Sequence, residues 1–132
     1  VVREDFGGGG EEVIHRSLGY DVFNDKLKFV ILVDKGSASA SEILAGALSE
    51  HGMAKIVGEN TFGKGSVQEL VSITPETSLK VTIARWLTPN GVSISDGGVK
   101  PDVEVKLTEE DVKKGIDSQL NKAVEVLLNW DK

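Results

Sequence analysis

Two short stretches of this sequence carry residue types that can do chemistry at close quarters. One is the serine run Gly36-Ser37-Ala38-Ser39-Ala40-Ser41-Glu42, and the other is a glycine-flanked lysine in Thr61-Phe62-Gly63-Lys64-Gly65-Ser66-Val67-Gln68. A serine hydroxyl is a poor nucleophile until a base removes its proton during attack, and an amine can be that base. The apolar run Phe29-Val30-Ile31-Leu32-Val33 leads into the serine loop, and Ile43, Leu44, Ala47 and Leu48 then line one face of a helix. A serine at such a strand-to-helix junction has backbone amides directed at it that can hold an oxyanion. The same residues also have a purely structural reading. Ser39 and Glu42 fit a capping box, and Ser41 can serve the helix start in the same way. Lys64 is then a solvated loop lysine between turn-forming glycines.

Other chemistries fit less well. A Ser-His-Asp triad would need His15 or His51. With a helix from Ser39, His51 falls about 18 Å along the axis from the serine at ~1.5 Å per residue, and His15 reads as a strand-face residue. Two histidines and no cysteine supply too few ligands for a structural zinc site, so no metal and no cofactor is expected. Gly58 to Lys64 satisfies Gly-x-x-x-x-Gly-Lys. However, Gly65 stands where a P-loop places Ser or Thr, and the following residues read as a strand. Gly7 to Gly10 lack the context of a dinucleotide fingerprint and read as a turn between two short strands.

The wording of the motifs together is more specific. Gly-Ser-Ala-Ser-Ala-Ser-Glu-Ile is followed by Gly58-Glu59-Asn60-Thr61-Phe62-Gly63-Lys64-Gly65-Ser66-Val67-Gln68, Leu87-Thr88-Pro89-Asn90-Gly91, Gly98-Val99-Lys100-Pro101-Asp102-Val103 and Asp117-Ser118-Gln119-Leu120. In that order they resemble the carboxyl-terminal processing (tail-specific) serine proteases, from about Val30 to Leu128. The resemblance implies Ser39 as nucleophile, Lys64 as general base and Gln68 as the residue orienting the lysine, with the Ala40 amide as one oxyanion-hole donor. Glu50 stands where some relatives carry an aspartate, and reads as a surface or helix-end residue. A lysine acts as a base only when neutral, against an ordinary pKa of ~10.4. Burial in an apolar pocket away from carboxylates can supply this, and the glycines beside Lys64 suit close backbone approach.

Around these motifs the sequence alternates short strands and helices. Val1 to Glu4 and Glu12 to Arg16 pair as a hairpin, Lys28 to Asp34 is a buried strand, and Ser39 to Glu50 is a helix. Lys55 to Gly58, Val67 to Ile73, Ser78 to Thr88 and Val103 to Leu107 are strands, with Leu79, Val81 and Ile83 on one face. Thr108 caps a short acidic-to-basic helix ending before Gly115, and a last helix from Asp117 to Trp130 carries a stripe of Leu120, Ala123, Val124 and Leu127. This is an α/β pattern, and the resemblance implies a crotonase- or ClpP-like ββα protease core, present in part.

The chain has 132 residues, 39% of them hydrophobic, enough for one ordinary core. A formal net charge of −6 disfavours nucleic acid as a partner. No run approaches the ~18 apolar residues of a membrane span, and no signal peptide opens the chain. The resemblance further implies that residues 1–132 are the C-terminal portion of the catalytic domain, with a PDZ domain and the first half of the core lying outside them. It implies an extracytoplasmic setting in the bacterial periplasm or cell envelope, and protein substrates with apolar C-terminal tails, cut near those tails through an acyl-enzyme. Oligomeric state is left open. The alternative is a catalytically incompetent fragment that serves as a peptide-binding or scaffold module.

Overall fold

A computed structural model describes residues 1–20 and 26–130. Its strands fall into two sheets. The first is antiparallel, with β1 (Val2–Asp5), β2 (Val13–His15), β5 (Ser66–Thr74) and β6 (Thr77–Leu87) in the order β2-β1-β6-β5. The glycine run makes the β1–β2 turn, with Gly7, Gly8 and Gly9 all at positive φ. The second sheet is parallel, with β3 (Val30–Val33), β4 (Lys55–Gly58) and β7 (Val103–Glu104) in the order β3-β4-β7.

Helix α1 (Ala40–Glu50) connects β3 to β4, the crossover that parallel strands require. Its inner face buries Glu42, Ala45, Gly46 and Ala47. Ala45 meets Val33 and Ile56 in the core, with Ile31 and Val99 packed against them. Gly58 crosses the parallel sheet where a Cβ would sit 1.9 Å from the Val33 carbonyl oxygen, so only glycine fits there. Leu32 is exposed and β3 is shorter than the expected buried strand, because it is an outer strand of its sheet.

Two other expectations are corrected. The expected last strand ends at Glu104, because its partner β4 ends at Gly58: the Gly58 carbonyl accepts from the Val105 amide at 2.8 Å, and the Val105 carbonyl beyond it accepts from Gln119 Nε2 at 2.9 Å. Helix α3 (Ser118–Leu128) is rotated relative to the expected stripe: Ala123 is buried and Leu127 half-buried, while Leu120 and Val124 face out. Trp130, just past the helix, is buried with the Lys55 ammonium 4.8 Å from its ring centroid, and this anchors the C-terminal end of α3.

Helix α2 (Glu109–Lys114) is capped as its sequence requires. Thr108 Oγ1 accepts from the Asp111 amide, the Asp111 carboxylate accepts from the Thr108 amide and hydroxyl, and Gly115 closes the helix at φ 66°. These bonds, the hydroxyl's first, hold the Asp111 carboxyl below its ordinary value. A depressed carboxylate stabilises above its unfolded pKa, and that contribution is lost as pH falls through the folded one. The cap therefore holds at neutral pH and opens in acid. In Thr108→Val the Asp111 titration, followed by NMR, moves up towards the ordinary aspartate value, and α2 amides exchange faster at neutral pH.

Candidate active site

The tight loop after β3 is built by Asp34, whose Oδ1 accepts from the Gly36 and Ser37 amides and the Ser37 hydroxyl. Ser41 Oγ donates to the Ala38 carbonyl at 2.7 Å. Of the serines in the run, that leaves Ser39. Ser39 and Glu42 have the layout of a capping box, and its carboxylate half is closed, with the Ser39 amide donating to Glu42 Oε2 at 2.8 Å. The serine half closes no side-chain hydrogen bond, because the Glu42 amide goes to the Ser39 carbonyl at 2.9 Å. Ser39 is exposed, and its hydroxyl closes no hydrogen bond among the described residues.

Ser39 also has φ 57° and ψ −116°, and is the non-glycine residue at positive φ among the described residues. Such a conformation costs on the order of 1–3 kcal/mol and persists only where surrounding contacts impose it. Here the carbonyl is held by the Glu42 and Ile43 amides and the amide by the Glu42 carboxylate. The amides of Ala40 and Ser41, first in the helix, have no hydrogen-bond partner among the described residues. They are the open donors of this helix start, and such amides can bind an anion.

The lysine loop lies against this helix start. Glu42, with no solvent exposure, accepts from Thr61 Oγ1 at 2.5 Å, the Gly63 amide at 2.6 Å and the Lys64 amide at 2.9 Å. The Phe62 amide adds a bond to the Ser37 carbonyl at 2.9 Å. Close backbone approach holds at both flanking glycines. A Cβ on Gly65 would lie 2.5 Å from the Ser95 nitrogen, and Gly63, at φ 87°, packs on the Gly97–Gly98 turn.

The side chains beyond that frame differ from expectation. Lys64 is exposed rather than buried, because the glycines bring the main chain, not the amine, against the 94–98 loop. Its ammonium forms no ion pair among the described residues, and no hydrogen bond joins it to Ser39. A buried carboxylate, Glu42, touches the lysine's main chain, where the sequence suggested surroundings free of carboxylates. Gln68 is exposed, and its amide lies 3.5 Å from Thr82 Oγ1, not on Lys64. The β5–β6 register shifts between Val67 and Gln68, a bulge that re-aims the side chain.

His51 caps the far end of α1, and His15 sits in β2, bonded to Glu4 at 3.0 Å and edge-on to Trp86. Neither histidine forms a hydrogen bond to Ser39. A strand, not a helix, follows Lys64, so the P-loop reading fails in structure too. Glu50 is the last residue of α1 and half-buried, with its carboxylate accepting from the Asn90 amide at 2.7 Å to pin the Pro89-Asn90-Gly91 turn.

Residues 1–105 match the family model described as peptidase family S41. The chain belongs to that family. It is 41% identical over 99 residues to a carboxy-terminal-processing protease of Bartonella bacilliformis, covering 75% of this chain and 23% of that protein. It is 50% identical over 76 residues to the carboxy-terminal processing protease CtpB of Bacillus subtilis, covering 58% and 16%. It is 45% identical over 102 residues to the chloroplastic carboxyl-terminal-processing peptidase 3 of Arabidopsis thaliana, covering 73% and 19%. The chain thus spans about a fifth of the length of these relatives. Among solved structures, the photosystem II D1 C-terminal processing protease superposes with a TM-score of 0.56 at 42% identity, over 76% of this chain and 24% of that one. The tricorn protease, at TM-score 0.67 and 22% identity over 76% and 10%, shares the fold. The fold is therefore the α/β, ClpP-like protease fold that the motifs imply.

The hydrogen-bond pattern makes a direct prediction. In amide exchange followed by NMR, the Ser39, Gly63 and Lys64 amides exchange slowly, and those of Ala40 and Ser41 exchange at least tenfold faster than these.

Proposed function

We propose that this S41 chain carries the catalytic centre of a serine endopeptidase of the carboxyl-terminal processing type, with Ser39 as nucleophile and Lys64 as base. The observation that carries this is Ser39 itself: an exposed serine on a strained backbone, whose hydroxyl closes no hydrogen bond among the described residues, beside an Ala40 amide that has no partner among them. Strain of this kind clusters at active sites. In the reaction, Lys64 takes the Ser39 proton as Oγ attacks the scissile carbonyl, and the Ala40 amide receives the developing oxyanion. The carbonyl–nitrogen bond then breaks, the ammonium protonates the departing amine, and water releases the acyl group from Ser39. Gln68, a neutral hydrogen-bonding group, supports the amine once both side chains turn towards Ser39.

Residues 1–132 are on this reading the C-terminal portion of a catalytic domain, with a PDZ domain and the first half of the core outside them. An extended protein substrate fits as a strand on the edge of β5, outermost in its sheet among the described residues, which starts two residues after Lys64, next to the exposed apolar side chains Leu70 and Ile73. Apolar C-terminal tails suit such an edge. The chloroplastic and bacterial processing proteases among the relatives support an extracytoplasmic setting. No helix among the described residues is long and apolar enough to cross a membrane.

A second reading, a peptide-binding module without turnover, is favoured by one observation: the Lys64 ammonium stands in solvent without a bond to Ser39. Fluorophosphonate labelling of the intact protein carrying this sequence separates the two. The protease reading predicts one adduct, abolished in Ser39→Ala and slowed about 100- to 10,000-fold in Lys64→Ala. Peptide binding with no adduct in a folded sample establishes the module instead.

A further inference from the structure

The Glu42 carboxylate is the most deeply buried ionisable side chain of the described residues, and the reaction just described does not use it. We propose that Glu42 is a positioning residue that sets the spacing of the nucleophile loop and the base loop by binding both main chains at once. This rests on the reading of Ser39 and Lys64 given above.

The geometry is specific. Oε2 accepts from two amides, those of Ser39 at 2.8 Å and Lys64 at 2.9 Å. One oxygen shared between the main chains of nucleophile and base holds those nitrogens within about 6 Å of each other. Oε1 takes the Thr61 hydroxyl and the Gly63 amide, so with Lys64 on Oε2 the lysine loop is gripped at three points and cannot slide along the helix start. Thr61 is itself fixed, its Oγ1 accepting from the Val99 amide at 2.7 Å. No cation pairs with Glu42 among the described residues, and the carboxylate is satisfied by these donors alone. A capping role would end at the Ser39 amide. The reach to residues 61, 63 and 64 is what a cap does not require.

The same contacts partition the amides. The Ser39 amide is committed to Glu42, so it is withheld from the oxyanion, and the Ala40 amide is left to serve. Glu42→Gln keeps the shape but turns an NH2 group on donors that need an acceptor. It therefore loosens the two loops together without emptying the core.

The test is fluorophosphonate kinetics with amide exchange on the intact protein, for wild type, Glu42→Gln and Ser39→Ala. The expected result for Glu42→Gln is a cooperative melt and a full labelling endpoint, with the first-order phosphonylation constant at least 100-fold lower and probe affinity within threefold of wild type. Exchange of the Ser39, Gly63 and Lys64 amides accelerates in concert. A merely structural role lowers the endpoint by unfolding part of the sample and leaves the rate constant of the remainder unchanged, and that result overturns the proposal. So does acceleration at Ser39 alone. If Glu42→Gln does not fold, Glu42→Asp, one methylene too short to span both loops, is read by the same criteria. Failure of the protease reading is distinguishable: Ser39→Ala then labels like wild type, or wild type does not label, and concerted exchange alone decides whether Glu42 couples the loops.

Discussion

A buried carboxylate, joined by one main-chain bond from Phe62 to Ser37, holds this molecule's two chemically interesting loops together. Burying Glu42 would cost several kcal/mol if its oxygens were left bare, and the fold meets that cost with the Thr61 hydroxyl and the amides of Ser39, Gly63 and Lys64. Hydrogen bonds to a charged group contribute on the order of 1.5–3 kcal/mol each, the same size as the ~1–3 kcal/mol of strain at Ser39. The strained serine and the buried carboxylate thus stabilise one another. Each is unfavourable alone, and together they define the end of α1.

The rest of the fold serves that junction. The β3–α1–β4 crossover places the helix start above the parallel sheet, and the Val33–Ala45–Ile56 core fixes the helix against it. Gly58 lets β4 pass the Val33 carbonyl and sends the chain back across the serine loop, where Phe62 and Lys64 dock. Gly65 and Gly98 then allow the lysine loop to nest against the 94–98 turn and Thr61. What this scaffold controls is main-chain position. Ser39 and Lys64 are both exposed, and Gln68 is turned to Thr82.

That division matches what the sequence could reveal. The hairpin across Gly7–Gly10, the helix behind Ser39, β4 and the Thr108 cap are written in turn residues, apolar periodicity and capping pairs, and each forms where those signals place it. Features set by distant partners were not legible. β7 stops early because its partner β4 ends at Gly58, and α3 turns its Leu120 and Val124 outward while Ala123 packs inward. Burial of Lys64 could not be read from its neighbouring glycines, because glycine specifies how close a backbone comes and not where the side chain goes. Glu42 was legible only as half of a capping box. Its bonds to residues 61, 63 and 64 cross some twenty residues of chain and leave no mark in local spacing.

On the proposed reading, Ser39 is presented as a nucleophile with its oxyanion directed at the Ala40 amide. A crystal structure of the intact protein after reaction with a fluorophosphonate tests it most directly. The expected adduct has phosphorus on Ser39 Oγ, with a phosphonyl oxygen about 2.7–3.1 Å from the Ala40 nitrogen and the Glu42 contacts intact. An adduct on another residue, or a phosphonyl oxygen turned away from Ala40 towards solvent, would contradict it.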